Sequence, residues 1–388
     1  MRGAVFGFPS AFIFLLLLCL GSTKTFLQHY HAIYHEMMEG DSTSTTKRTP
    51  QFVLYKNGDV TGFGNKMRGL YSSLLLALAT DRILVIDFPA FFDHFLPPDG
   101  LKMNFKLQFG IKAILPMKQI LIGGRDDPGQ DRPLLQTADL QQLYANVTTI
   151  SYAFGYGFDQ ELMMNPHVRH KLAALLGLRS PEDYTQLYGT GTIMPWLLQN
   201  ITEWYRRGID SIVSALNLPI LAKREQGSLI CARLRIMDGR NRYQLFADCF
   251  RTILRRLLDG SWKLGGPDAT TSLDSYRIFF TTDKPRLAER FNEEFASEFG
   301  AISMNPRQEH RETNRVGNMY SPELGEDTLP HPAMIDWFIL GECDYVIGSH
   351  STFSLSAAAR KGNRPSQRMF TTPPLFKCAE MTPDTFRF

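Results

Sequence analysis

Short apolar runs of strand length alternate with longer segments of three- and four-residue spacing, first from residue 52 to 88 and again from 228 to 359. Phe52-Val53-Leu54-Tyr55 predicts a buried strand. A glycine-rich turn follows, from Asn57 to Asn65. After it Met67, Leu70, Tyr71, Leu74 and Leu78 fall on one face of a helix. Ile83-Leu84-Val85-Ile86, ended by Pro89, predicts a second strand. Strand, helix and strand make a βαβ unit, so the strands run parallel with a right-handed crossover.

The second half repeats the alternation. Ser228 to Arg235 predicts a strand that turns basic at its end, and Asp248 to Leu258 a helix. Arg277 to Asp283 predicts a strand and Pro285 to Phe299 a helix. An apolar turn from Asp336 then leads into Tyr345-Val346-Ile347, a Gly at 348, a cluster of hydroxyls and a small-residue helix, Leu355 to Ala359. Between the halves, Pro97 to Leu216 shows helical patterns at Val168–Leu176 and Trp196–Leu216 with loops between. Alternation on both sides of a helical middle predicts an α/β chain of two Rossmann-like domains facing a cleft. Gln28 to Thr49 is polar with no sustained period and reads as a stem.

Composition changes this picture mainly at the N-terminus. A hydrophobic share of 44% and a charged share of 21% belong to a globular protein. A net charge of +3 is too small to argue for nucleic acid, so any anion binding must be local. Ala4 to Leu20 is apolar apart from Ser10, with Arg2 before it and Lys24 after it. That is about the length of a spanning helix. We read it as an uncleaved signal anchor with the bulk of the chain in the lumen, the alternative being a signal peptide cleaved near Ser22. Two sequons, at Asn146 and Asn200, agree with a secretory route. Besides Cys19, the cysteines Cys231, Cys249, Cys343 and Cys378 allow two bridges in any of three pairings.

The chemistry gathers at three strand ends. Arg233 and Arg235 end the first, Thr282 and Asp283 the second, and Ser349, Ser351 and Thr352 the third. In an open α/β sheet such ends line the ligand crevice. A guanidinium to offset phosphate charge, hydroxyls for phosphate oxygens and an acid for sugar or base hydroxyls suit a nucleotide diphosphate. The chain has no Asp-x-Asp triplet, so we expect cationic side chains rather than a metal to offset the diphosphate.

The turn Gly62-Phe63-Gly64-Asn65, the strand ending in Arg235, the Thr282-Asp283-x-Pro285 turn and the stretch Asp336 to Phe353 resemble the GDP-fucose-dependent fucosyltransferases. Within that superfamily the pattern is most similar to the plant xyloglucan type. The resemblance covers roughly residues 52–90 and 228–365. It implies a GT-B fold, with the acceptor held mainly by the first domain and GDP-fucose by the second, and inversion at the fucose anomeric carbon without a metal. It places Arg235 on the diphosphate, Ser349, Ser351, Thr352 and Phe353 in the phosphate cradle, and Asp336 or Asp283 on the guanosine. Gly64 and Asn65 would approach the donor from the opposite domain. Many relatives carry His or Gln where this chain has Arg233, which would either add a second cation to the diphosphate or pair with an acid on the other face. The general base is not evident. Asp238 is the candidate from the same strand end, with Asp59 and Asp87 as alternatives.

The expected organisation is an anchor over 1–23, a stem over 24–50, an acceptor-side domain over 51–222, a donor domain over 223–370 and a tail over 371–388. The expected function is fucosyl transfer to a glycan or glycoprotein acceptor, as a single-pass type II Golgi membrane protein with no cofactor beyond the donor. The alternatives are a non-catalytic nucleotide-sugar or glycan-binding protein of the same fold, and a transferase using another GDP-sugar.

Overall fold

A computed structural model describes residues 26–38, 49–56, 62–98, 101–103, 117–120, 131–152, 157–219, 228–235, 242–259, 276–305, 330–349, 351–360, 362, 368–372 and 379–380. Its first sheet holds β1 (Phe52–Lys56), β2 (Ile83–Asp87), β3 (Met117–Ile120) and β4 (Thr149–Tyr152), in the order β2-β1-β4-β3 with every pair parallel. Its helices are α1 (residues 26–38), α2 (Phe63–Ala79), α3 (Pro89–His94), α4 (Arg132–Thr137), α5 (Leu140–Leu143), α6 (Asp159–Met164), α7 (Arg169–Leu176), α8 (Gln186–Leu197) and α9 (Glu203–Ala215).

The second sheet holds β5 (Ser228–Leu234), β6 (Tyr276–Thr282), β7 (Ile302–Met304), β8 (Tyr345–Ser349), β9 (Arg368–Thr372) and β10 (Ala379–Glu380). Their order is β10-β9-β8-β5-β6-β7, parallel except for β10. The helices are α10 (Arg242–Leu258), α11 (Pro285–Phe299), α12 (Pro332–Glu342) and α13 (Thr352–Ala359). In each sheet the chain starts centrally, moves to one edge and returns to the other side. The switch points therefore fall between β1 and β4 and between β5 and β8, where open α/β sheets bind ligands.

The strands are apolar because both sheet faces are covered. In β5, Ile230, Ala232 and Leu234 join a phenylalanine-rich core under α10 and α11. There the Phe280 and Phe291 rings stack with centroids 3.9 Å apart. Leu229 and Cys231 face the opposite way, into a core shared by α12, α13 and the whole first domain. Aromatic side chains cross between the halves: Phe63 meets Trp337 at 5.0 Å, and the Tyr205 hydroxyl donates to the Met334 carbonyl at 2.5 Å. A disulfide joins Cys231 to Cys343, tying β5 to the turn before β8, and Cys249 is disulfide-bonded as well.

Several expectations change. Residues 26–38, read as part of a stem, form a helix that buries Phe26, Tyr30, Ile33, Tyr34 and Met37 against the first domain. Those residues recur every three or four positions, the helical spacing that a Ser-, Thr- and His-rich surrounding obscures. The pattern from Trp196 to Leu216 is two helices, because Thr202 caps α9 by accepting from the Tyr205 N–H at 3.2 Å. Strands β9 and β10 extend the sheet across residues read as the end of the donor domain and a tail. The apolar segment from Ala4 to Leu20 lies outside the described residues. Among those described, no helix is long and apolar enough to cross a membrane. Asn146 is exposed in the turn before β4, and Asn200 is half-buried between α8 and α9.

Candidate functional site

The three central strands of the second sheet end side by side. Arg233 is in register with Gly348 on one flank and Thr281 on the other, and Leu234 with Thr282. One residue on, the Arg235 N–H donates to the Ser349 hydroxyl at 2.8 Å. Parallel register thus puts Arg235, Thr282, Asp283, Ser349 and the start of α13 at the same end of the sheet. This is the carboxyl end, at the switch point between β5 and β8.

Helix α13 begins there under local control. The Ser351 hydroxyl accepts from the Phe353 N–H at 3.2 Å and caps the helix, so it is committed to the fold. Thr352 is half-exposed at the first helical position. A helix start leaves N–H groups unsatisfied and carries partial positive charge, which suits a phosphate oxygen.

A second helix start meets it from the first domain. Gly64, in the first turn of α2, lies against the backbone of Thr352 and Phe353, and a Cβ on it would come within 2.6 Å of the Phe353 Cα. Only glycine permits that approach. Asn65 is half-buried beside it, and its N–H closes the first turn onto the Gly62 carbonyl at 3.0 Å. Two helix N-termini from the two domains therefore converge where the strand ends open.

The charged residues divide. Arg235 is half-exposed, and among the described residues its side chain has no hydrogen-bond or ion-pair partner. Arg233 is only 7% exposed. It lies on the same face as Cys231, toward α12 and α13 and not the opposite one. Its guanidinium carbon sits 4.9 Å over the Phe353 ring, and its Nη1 donates to the Thr281 hydroxyl at 3.4 Å. Burial pulls the Arg233 guanidinium below its ordinary value, while Asp283 and then Asp336 pull it back up.

Asp336, expected to read a base or ribose edge, faces inward. It is 1% exposed, and its two oxygens accept from the Thr281 hydroxyl at 2.5 Å and the Asn305 amide at 2.8 Å. It is an internal acceptor that links α12 to β6 and to the end of β7, while Asp283, half-buried just after β6, is the other of the expected acids among the described residues at that strand end. Asp238 and Asp59 lie outside the described residues. Asp87 is half-buried at the end of β2. The partners Thr281 and Asn305 carried no signal in the sequence, since a lone Thr inside a strand and a lone Asn after one are commonplace. Among the described residues no three His, Cys, Asp or Glu side chains gather as a metal site.

No protein-family model matches the chain, and no curated protein matches it in sequence. Among solved structures, an arginine-to-lysine mutant of Arabidopsis thaliana FUT1 in complex with GDP is similar over 95% of this chain and 82% of that one, at 14% identity and a TM-score of 0.58. NodZ α-1,6-fucosyltransferase co-crystallized with GDP matches over 86% of this chain and 99% of that one, at 15% identity and a TM-score of 0.48. Fucosyltransferase NodZ from Bradyrhizobium matches over the same shares, at 15% identity and a TM-score of 0.44. The likeness to FUT1 shows that this chain, with its two largely parallel sheets, shares that protein's fold.

Proposed function

We propose that the chain is a glycosyltransferase that moves fucose from GDP-fucose to a glycan hydroxyl, with inversion at the anomeric carbon. The observation that carries this reading is the junction itself. The Arg235 guanidinium, without a partner among the described residues, and the N-terminal turn of α13 flank one strand end at the switch point, with a second helix start from the other domain against that turn. The shared fold supports it, because FUT1 is a fucosyltransferase solved with GDP. The resemblance of Gly62–Asn65, Arg235 and Asp336–Phe353 to fucosyltransferase motifs supports it independently.

On this reading Arg235 offsets the negative charge that builds on the diphosphate as GDP departs. Thr352 and the first N–H groups of α13 hold phosphate oxygens, and Asp283 reads the guanosine. Cations and helix starts take the place of a metal. The acceptor hydroxyl would approach from the first domain, and Asp238 remains the candidate base. The apolar N-terminus and the two sequons argue for a type II protein of the Golgi membrane with its catalytic domain in the lumen.

The test is incubation of the detergent-solubilised full chain with GDP-fucose and a glycan array. Transfer is expected, and it should persist in excess EDTA. Arg235→Ala should lower the rate by about 10²–10³, the usual cost of removing a group aimed at developing charge. Activity of that variant within about twofold of wild type would reject the assigned role. Glycan capture with no GDP release would favour the non-catalytic alternative. Turnover with GDP-mannose alone would move the reading to another donor sugar.

A further inference from the structure

Arg233 is the residue that the donor site as described leaves unused. It is buried, and among the described residues no carboxylate lies within ion-pair distance of it. Among the described residues its Nε has no hydrogen-bond partner, and its one side-chain bond is the long one to Thr281. Thr281 in turn gives its own proton to Asp336, which Asn305 also holds. With its charge offset only at a distance, by Asp283 and Asp336, this buried cation costs stability that an apolar side chain of similar length would not. What the guanidinium does have is the face of Phe353, against which it lies at 4.9 Å.

Phe353 is in the first turn of α13. Its N–H is capped by Ser351, and its backbone is pressed by Gly64 from the other domain. Three contacts therefore fix one residue: a cap from its own chain, a glycine from the facing helix and a cation on its ring. We infer that Arg233 is a positioning residue for the donor diphosphate: through the Phe353 ring it holds the first turn of α13 in the orientation that receives phosphate beside Arg235. This rests on the donor-site reading above and adds a second arginine to it, one that acts without touching the ligand. The anchoring chain runs from Arg233 through Thr281 to Asp336 and Asn305, which gives buried Asp336 a part in the same device.

The experiment measures GDP affinity by calorimetry and thermal stability for the full chain, for Arg233→Met, for Phe353→Leu and for the double variant. Arg233→Met keeps the length of the side chain and removes its charge. Its Tm should be no lower than that of wild type, while GDP binds about tenfold more weakly. Phe353→Leu should weaken GDP to a similar extent, and the double variant should be little worse than either single one, because both break the same link. In the transfer assay KM for GDP-fucose should rise in Arg233→Met with KM for the acceptor unchanged. A lower Tm with GDP affinity within about twofold of wild type would make Arg233 structural and overturn the inference. Single losses that multiply in the double variant would overturn it too, because the two residues would then act separately. If wild type itself fails to bind GDP, the donor-site reading falls first and takes this inference with it.

Discussion

Gly64 shows how much one side chain decides. Its missing Cβ lets two helix starts touch, and any other residue would drive into the Thr352–Phe353 backbone. Gly64→Ala should destabilise the chain by about 1–3 kcal/mol, as overpacking does where backbone cannot yield. A denaturant midpoint equal to that of wild type would mean that the contact gives way easily. His94 makes a different prediction. Its Nδ1 is satisfied by the Ala90 carbonyl at 2.8 Å, and among the described residues its buried Nε2 has no partner. Burial lowers its pKa from 6.5 to about 4, helped by His331 and opposed by the Ala90 carbonyl. The unfolded chain therefore takes up this proton more readily than the folded one. Its stabilising effect is complete above pH 6.5 and is lost as the pH falls towards about 4. The whole window amounts to about 3 kcal/mol. Comparing urea midpoints at pH 7 and pH 5 for wild type and His94→Gln checks this. The wild-type loss should shrink in the variant, and an equal loss in both would assign the acid sensitivity elsewhere.

Helices α1 and α12 mark the two limits of reading elements from the sequence. Strand β2 is an edge strand, and the backbone groups it turns outward need partners. Helix α1 supplies one, since the Tyr30 hydroxyl accepts from the Leu84 N–H at 2.9 Å, and Met103 supplies another by accepting from Ile86 at 2.7 Å. Tyr30→Phe would leave the Leu84 N–H buried and unmet, and should cost about 1–3 kcal/mol in a denaturant titration. No change would show that water or a shift of β2 replaces the bond. The spacing Phe26, Tyr30, Ile33, Met37 was present in the sequence, but polar neighbours hid it. The inward bonding of Asp336 was missed for the opposite reason. Helix α12 is buried almost all round, so its pattern has no polar face to say which way an acid points. The strand ends were legible because an apolar run closed by Gly or by charge announces both a buried strand and its carboxyl end. Thr281 and Asn305 were not legible, because their bonds to Asp336 depend on how β6, β7 and α12 are placed in space.

For the whole molecule, legibility followed the parallel sheets. The second sheet's central strands and the βαβ unit that opens the first could be read from alternation alone. Strands β3, β4, β9 and β10 could not, since they are short or lie in polar surroundings. What joins the halves was also hidden. The Phe63–Trp337 and Tyr205–Met334 contacts pair residues far apart in the chain, and spacing carries no record of them. On the proposed reading a donor diphosphate lies at that junction, at the carboxyl ends of β5 and β8, between Arg235 and the first turn of α13. A crystal structure of this protein with GDP is the decisive measurement. Phosphate oxygens are expected within hydrogen-bond distance of the Arg235 guanidinium and of the Thr352 hydroxyl or N–H. GDP bound at the first sheet's switch point, or with its phosphates directed away from Arg235, would contradict it.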